Sequence, residues 1–348
     1  MIRTAMLSFW HVHARDYARQ ASEHPDIELV AAWDEDADRG AANAEVLGLP
    51  FHADLAELLA RPDVDAVIVD TPTSAHPEVI LAAIRAGKHV FTEKLLALEP
   101  AAADEILAAA ERAGVVLTVS LPRLSEPATL AAHAALEQGL LGQLTQVRVR
   151  VAHNGAVGAG WLPEHFYDPE ACGGGALIDL GAHPVYLARL FLGRMPEAVT
   201  ASLGSVTGRA VDDNAVTVFR RDDGAVAIAE TAFVNRHSPY TLELHGTEGS
   251  LLFGTPEARM LIRSGAEAAG GRYDEWTELP LPEHAPMPMV RWAAAIQGLA
   301  DGAKPADNPD IAKNLELSRD LTALMDAAYR AARSGTETTP TAPTGGTR

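Results

Sequence analysis

Apolar runs alternate with amphipathic stretches from Thr4 to about Val119. Thr4–Ser8, Ile27–Trp33, Ala66–Val69, His89–Thr92 and Val115–Val119 read as strands, apolar along nearly their whole length. His13–Glu23, Asp38–Leu47, Asp54–Ala60, Pro77–Ala86 and Ala101–Ala113 carry helical spacing between them. Strands apolar on both faces, each followed by a helix, predict a Rossmann-like, doubly wound parallel sheet. After Pro122 the period changes. A helix over Ser125–Glu137 precedes alternating patterns at Gln143–His153, Ala198–Ser205, Asn214–Arg220, Ala225–Phe233, Tyr240–His245 and Gly249–Phe253. These predict a mostly antiparallel open sheet, with Asp222-Asp223-Gly224 as a hairpin turn. Helices over Met289–Ala300 and Pro309–Arg333 close the pattern, and the Thr-, Pro- and Gly-rich stretch from Ser334 is expected to be disordered. The fold class is therefore α/β followed by α+β. Residues 1–121 form a dinucleotide-binding domain, 122–333 a substrate and oligomerisation domain, and 334–348 a tail.

Composition narrows the partners more than the fold. A net charge of −19 on 348 residues opposes nucleic acid or an anionic membrane as the main partner. Cys172 is the only cysteine, which excludes an intrachain disulfide and a cysteine-based zinc site. Met1–Leu7 lacks the pattern of a signal peptide and no apolar run reaches spanning length, so a cytoplasmic protein is expected.

The candidate chemistry lies at strand ends. In Gly173-Gly174-Gly175-Ala176-Leu177-Ile178-Asp179-Leu180-Gly181-Ala182-His183, a helix from Ala176 puts Asp179 and His183 on one face. An acid beside an imidazole is a usual way to orient a general acid or base, and the glycines let backbone and ligand approach. The plainer reading is a solvent-facing polar pair. Between the first strand and helix, where a dinucleotide fold carries Gly-x-Gly-x-x-Gly, stand Ser8, Phe9, Trp10, His11, Val12 and His13. Bulky Phe9 and Trp10 push a cofactor outward or force another turn, while Ser8 and His11 offer a phosphate a hydroxyl and a donor. Asp34 ends the second strand where a carboxylate accepts ribose hydroxyls, and with Glu35 and Asp36 it repels a 2′-phosphate, favouring NAD. Its plainer role is to cap the next helix.

Thr71, Pro72 and His76 follow the third long strand, and Glu93 and Lys94 the fourth. A lysine there holds a hydroxyl or carbonyl oxygen and eases oxyanion formation, unless it and Glu93 are only a surface ion pair. His11, His13 and His76 all fall at carboxyl ends of strands, but no acidic ligand is evident beside them and no metal is expected. Trp161, His165 and Tyr167 are candidates for stacking and hydrogen bonding to a sugar, or for plain loop packing.

Thr71-Pro72 to His76 with Ala86-Gly87-Lys88-His89-Val90-Phe91-Thr92-Glu93-Lys94 resembles the signature of the Gfo/Idh/MocA oxidoreductases. Gly173–His183 is similar to a second signature of that family, and Tyr240–Phe253 to a third; the resemblance runs from about residue 3 to 335. It implies an NAD(P)-dependent oxidoreductase acting on a sugar, sugar derivative or cyclitol. Lys94 would hold the reacting oxygen, His183 exchange its proton and Asp179 orient substrate hydroxyls or the imidazole. Ser8, Phe9, Trp10, His11, Asp34, Thr71, Pro72, His76 and Glu93 would meet the cofactor. It also implies a homodimer or homotetramer paired through the second sheet. Two departures stand out. The first loop lacks glycine, and Leu95 replaces the usual proline after Glu-Lys. A cis bond before leucine costs roughly 3 kcal/mol, so Lys94–Leu95 is expected to be trans. Two other readings remain: an NAD-dependent glycosidase of the same architecture, and a non-catalytic sugar sensor or scaffold.

Overall fold

The computed structural model describes residues 1–268, 271–300 and 302–343. Its first unit is built on Met1–Leu121 and Pro286–Arg319. In chain order it runs β1 (Ile2–Leu7), α1 (Ala14–Glu23), β2 (Ile27–Trp33), α2 (Ala37–Leu47), β3 (Phe51–His52), α3 (Leu55–Leu59), β4 (Ala66–Val69), α4 (His76–Arg85), β5 (His89–Thr92), α5 (Pro100–Ala113) and β6 (Leu117–Val119). The sheet order is β3-β2-β1-β4-β5-β6, all parallel. The order of successive strands reverses between β1 and β4, and Ser8–His13, Asp34, Asp70–Thr71 and Glu93–Lys94 collect at the carboxyl edge where such sheets take ligands. Residues 66–69 are wholly buried, as helices on both sides of a parallel sheet require. The α2 cap is Asp36, whose carboxylate accepts the Asp38 and Arg39 amides; Asp34 does not cap it.

The second unit spans Pro122–Ala285 and Asp320–Ala342. It contains α6 (Pro127–Glu137), β7 (Leu144–Ala152), α7 (Pro169–Cys172), α8 (Ala182–Leu192), β8 (Ala198–Gly204), β9 (Asn214–Arg220), β10 (Val226–Ala232), β11 (Thr241–Gly246), β12 (Gly249–Phe253), β13 (Met260–Ala268) and β14 (Gly271–Leu279). Its eight strands run β14-β13-β12-β11-β7-β10-β9-β8, antiparallel except where β7 meets β10. The buried helix α8 covers β7 and β10. Side chains that alternate with the buried ones on these strands include the ion pair Arg148–Glu230 at 2.9 Å, so this surface is polar as well as apolar.

The chain ends on α9 (Pro288–Ala300) and α10 (Pro309–Ser334), and here the expected boundaries need correction. Residues 286–319 belong with the first unit rather than the second. The apolar face of α9 explains why. Trp292 is fully buried with its ring 5.8 Å from that of Phe91, and Met289 and Ala293 join the same core. Asn314 adds two hydrogen bonds to Val119, donating to its carbonyl and accepting its amide. The expected disordered tail is likewise partly ordered. Ser334 still belongs to α10, and Thr338 exchanges backbone hydrogen bonds of 2.8 and 2.9 Å with Val199. Residues 344–348 of that tail lie outside the described residues. No helix among the described residues is long and apolar enough to cross a membrane.

Candidate active site

In the first unit the loop after β1 makes its own turn. Ser8 adopts φ 78°, a left-handed conformation costing a non-glycine residue about 1–2 kcal/mol. Its hydroxyl accepts the Trp10 amide at 3.1 Å and bonds the Glu35 carboxylate. Phe9 and Trp10 turn inward and are buried, Phe9 within the sheet-and-helix core. The loop amides from Ser8 to His11, and that of His13, are committed to the protein. Ser8 donates to the Trp33 carbonyl, Phe9 to Asp34, His11 to the Asp70 carbonyl and His13 to His11 Nδ1. The Ser8 hydroxyl, expected at a phosphate, thus has two partners inside the chain.

Asp34 departs from expectation in the same way. Its buried carboxylate accepts the Phe9 and Asp36 amides, both at 2.8 Å, and two bonds from Arg39 at 2.6 and 3.0 Å. Those four bonds occupy the lone pairs that a ribose would need. Arg39 also pairs with Glu35 at 2.6 Å. The acid expected to grip the ribose instead anchors the loop.

Glu93 and Lys94 are not a surface pair. Both are buried at the end of β5, with Lys94 Nζ 3.5 Å from Glu93 Oε1. Glu93 Oε2 accepts the Tyr17 hydroxyl, lies 3.0 Å from His13 Nδ1 and 3.9 Å from His11 Nδ1. Burial pushes the Glu93 carboxyl up, but the charges of His11, His13 and Lys94 outweigh it and hold it well below the ordinary range. Asp70 moves the opposite way, driven well up by burial and then by the neighbouring Glu93 charge. The two buried carboxyl groups are thus driven in opposite directions.

The Lys94–Leu95 bond is cis, contrary to the trans bond expected. The Leu95 carbonyl lies 2.6 Å from His76 Nδ1, and the Thr71 carbonyl 3.1 Å from Nε2. Burial lowers the His76 pKa to about 4, so the ring is neutral at pH 7 and donates through Nδ1 to the nearer carbonyl. His76, expected at the cofactor, is buried and spends its ring on the backbone around Lys94.

Do these residues fit a dinucleotide? Both carboxyl oxygens of Asp70 and the hydroxyl of Thr71 are buried without a hydrogen-bond partner, at the edge where the strand order reverses. Buried polar atoms of that kind suit a ligand that supplies the partners. The fold and edge fit a nicotinamide cofactor, while the loop lacks the usual row of donated amides.

In the second unit Ala176–Gly181 forms turns, and α8 begins only at Ala182. The single helical face expected for Asp179 and His183 is therefore not built. The organiser is Asp212, which sequence reasoning missed. Its carboxylate accepts the Gly175 amide at 3.0 Å, the Leu177 amide at 2.7 Å and the Tyr329 hydroxyl at 2.9 Å. A Cβ on Gly175 would stand 1.9 Å from the Asp212 carbonyl oxygen, and one on Gly174 2.1 Å from Tyr329 Oη. Two of the three glycines are thus needed for close approach of protein to protein.

His183 is buried, with Nδ1 3.1 Å from Tyr186 Oη, which also accepts the Arg123 amide at 3.1 Å. Burial drives the Tyr186 phenol well above its ordinary value, so it stays protonated and orients the imidazole without exchanging charge. Of the proposed sugar contacts, Trp161 is exposed and packs a tilted ring 4.7 Å from His153. His165 is half-buried. Tyr167 is buried, with the Arg209 guanidinium 3.9 Å over its ring, so one stacking face is already taken.

Comparison with known proteins follows the same division. Residues 9–121 match the model described as an oxidoreductase family with an NAD-binding Rossmann fold, and residues 129–252 the GFO/IDH/MocA C-terminal domain. A 1,5-anhydro-D-fructose reductase of Ensifer adhaerens is 36% identical over 247 residues, 69% of this chain and 72% of that protein. The scyllo-inositol 2-dehydrogenase (NAD(+)) of Bacillus subtilis is 29% identical, covering 73% and 74%. A levoglucosan dehydrogenase solved with NADH and levoglucosan superposes with a TM-score of 0.80 at 20% identity, over 97% of this chain and 99% of that one.

Proposed function

Because the chain belongs to the Gfo/Idh/MocA oxidoreductase family, we propose that it exchanges a hydride between NAD and a hydroxyl or carbonyl carbon of a sugar, sugar derivative or cyclitol. The observation that carries this reading is the buried Lys94, beside an ionised Glu93 at the carboxyl edge of the parallel sheet. An ammonium with its charge offset in this way costs less to bury and still points donors at an oxygen. Lys94 holds the reacting oxygen and favours its alkoxide character. His183 takes that oxygen's proton during oxidation and returns it during reduction. For this the imidazole donates Nδ1–H to Tyr186 Oη and works through Nε2. Asp179 orients a neighbouring hydroxyl. The nicotinamide, when bound, accepts or supplies the hydride.

NAD is favoured over NADP because Asp34, Glu35 and Asp36 outweigh Arg39, leaving the end of β2 acidic against a 2′-phosphate. Thr71, Pro72 and Glu93 belong to the cofactor side of this reading. Trp161, His165 and Tyr167 belong to the substrate side. The protein works in the cytoplasm as a homodimer or homotetramer through its second sheet, with a small carbohydrate as its partner.

The test is a panel of cyclitols, polyols and keto-sugars, read by the absorbance of reduced nicotinamide. At least one member is expected to change it, with NAD at least about tenfold more efficient than NADP in kcat/KM. No turnover of any panel member with either nucleotide would remove the hydride-transfer reading. A preference for NADP would assign Arg39 to the 2′-phosphate.

A further inference from the structure

The loop that lacks glycine carries instead two imidazoles aimed at a buried carboxylate. His11, His13 and Glu93 each present one donor atom, and the three donors lie within 4.8 Å of one another. We propose that these residues form a binding site for one divalent transition-metal ion of the zinc class. Sequence alone offered a His-x-His pair without an acid; the fold brings Glu93 to it from eighty positions away, at the end of β5.

The donor set chooses the ion. Two imidazoles and one carboxylate suit zinc and its neighbours, whereas magnesium and calcium take oxygen ligands. His13 Nδ1 and Glu93 Oε2 stand at a hydrogen-bond distance of 3.0 Å, which an ion bound at about 2.0–2.2 Å from each would need to widen only slightly. The site is also prepared. The His11 amide is tied to the Asp70 carbonyl at 3.2 Å, and the Tyr17 hydroxyl donates to Glu93 as an outer-shell partner. A second observation points outward from the chain. Glu93 Oε1 is buried with no hydrogen-bond partner, its neighbour being the Lys94 ammonium at 3.5 Å. A bound ion pins the loop to β5 and supplies positive charge at a turn where the amides of Ser8 to His11 and of His13 are already spent. Glycines in this loop would offer no such ligands.

The experiment uses the full chain without a histidine tag. Metal content is measured by mass spectrometry after purification. The chelator-treated protein is then titrated with zinc chloride against a chromogenic chelator, and with cobalt chloride by visible absorption. One equivalent of zinc per chain is expected, with a cobalt spectrum of nitrogen and oxygen ligands. His13→Ala removes the more exposed ligand and Glu93→Gln keeps the shape of the buried one. Each should weaken zinc by more than the roughly 10–100-fold that outer-shell changes cost, with circular dichroism unchanged in at least His13→Ala. No saturable zinc or cobalt binding would overturn the proposal. So would binding that survives His13→Ala at full affinity in folded protein. Nucleotide affinity is measured separately, so the site can fail while the hydride-transfer reading stands, and the reverse.

Discussion

Lys94→Ala is expected to lower kcat by about 10²–10³-fold, the cost of removing one donor from a developing oxyanion. NAD affinity should stay within a few-fold of wild type, because Lys94 is assigned to the reacting oxygen and not to the nucleotide. Removing one partner of a buried ion pair also costs about 3–5 kcal/mol of stability. Here Glu93 keeps its bonds to Tyr17 and His13, so the loss belongs at the low end and a thermal melt reads it directly. Lys94→Arg should not restore turnover, since a planar fork replaces a compact ammonium in a buried site. Steady-state kinetics with a calorimetric NAD titration separate these effects. Wild-type kcat in Lys94→Ala would take the residue out of the reaction.

His183→Ala should cost about 10²–10⁴-fold in kcat, the usual worth of a positioned acid or base. The pH–rate profile distinguishes loss of proton exchange from general damage. The limb belonging to the imidazole should disappear in His183→Ala and persist, with lower kcat, in Tyr186→Phe. Tyr186 holds the ring from Nδ1 and takes no proton itself, so removing its hydroxyl loosens the orientation and leaves the titrating group. An unchanged profile in His183→Ala would assign the proton to another group.

The parallel half of the fold is legible in the chain because burial on both faces leaves little room for polar residues. Ile27–Trp33, Ala66–Val69 and His89–Thr92 are strands over the bounds their apolar runs predict. The edge of the second sheet is not legible. β14 runs Gly-Arg-Tyr-Asp-Glu-Trp-Thr-Glu-Leu, and its residues 274–278 are exposed, so it shows the charge of a protected edge and no core alternation. Nor does periodicity say which core a helix joins. The apolar face of α9 would suit either unit until Trp292 is seen against Phe91.

The site residues divide along the same line. Lys94 and His183 are conspicuous locally, by residue type and position. Their surroundings come from long range. Asp212 binds the Gly175 amide from 37 positions away, and Tyr17 reaches Glu93 across 76. The acid at Asp34 is legible by position, while the Phe9 amide and Arg39 that bind it come together only once the loop is folded. The glycines of the Gly173–Gly175 run, read as room for a ligand, serve Asp212 and Tyr329. That error has one cause: a glycine marks close approach without saying of what.

Hydride transfer here requires that a first loop with most of its amides bound within the chain still holds the cofactor. Purified protein is denatured to release and identify any bound nucleotide, and nucleotide-free protein is titrated with NAD and NADP by calorimetry. The prediction is one NAD site per chain, with NADP at least about tenfold weaker, a difference of about 1.4 kcal/mol. No released nucleotide and no heat of binding for either would contradict it.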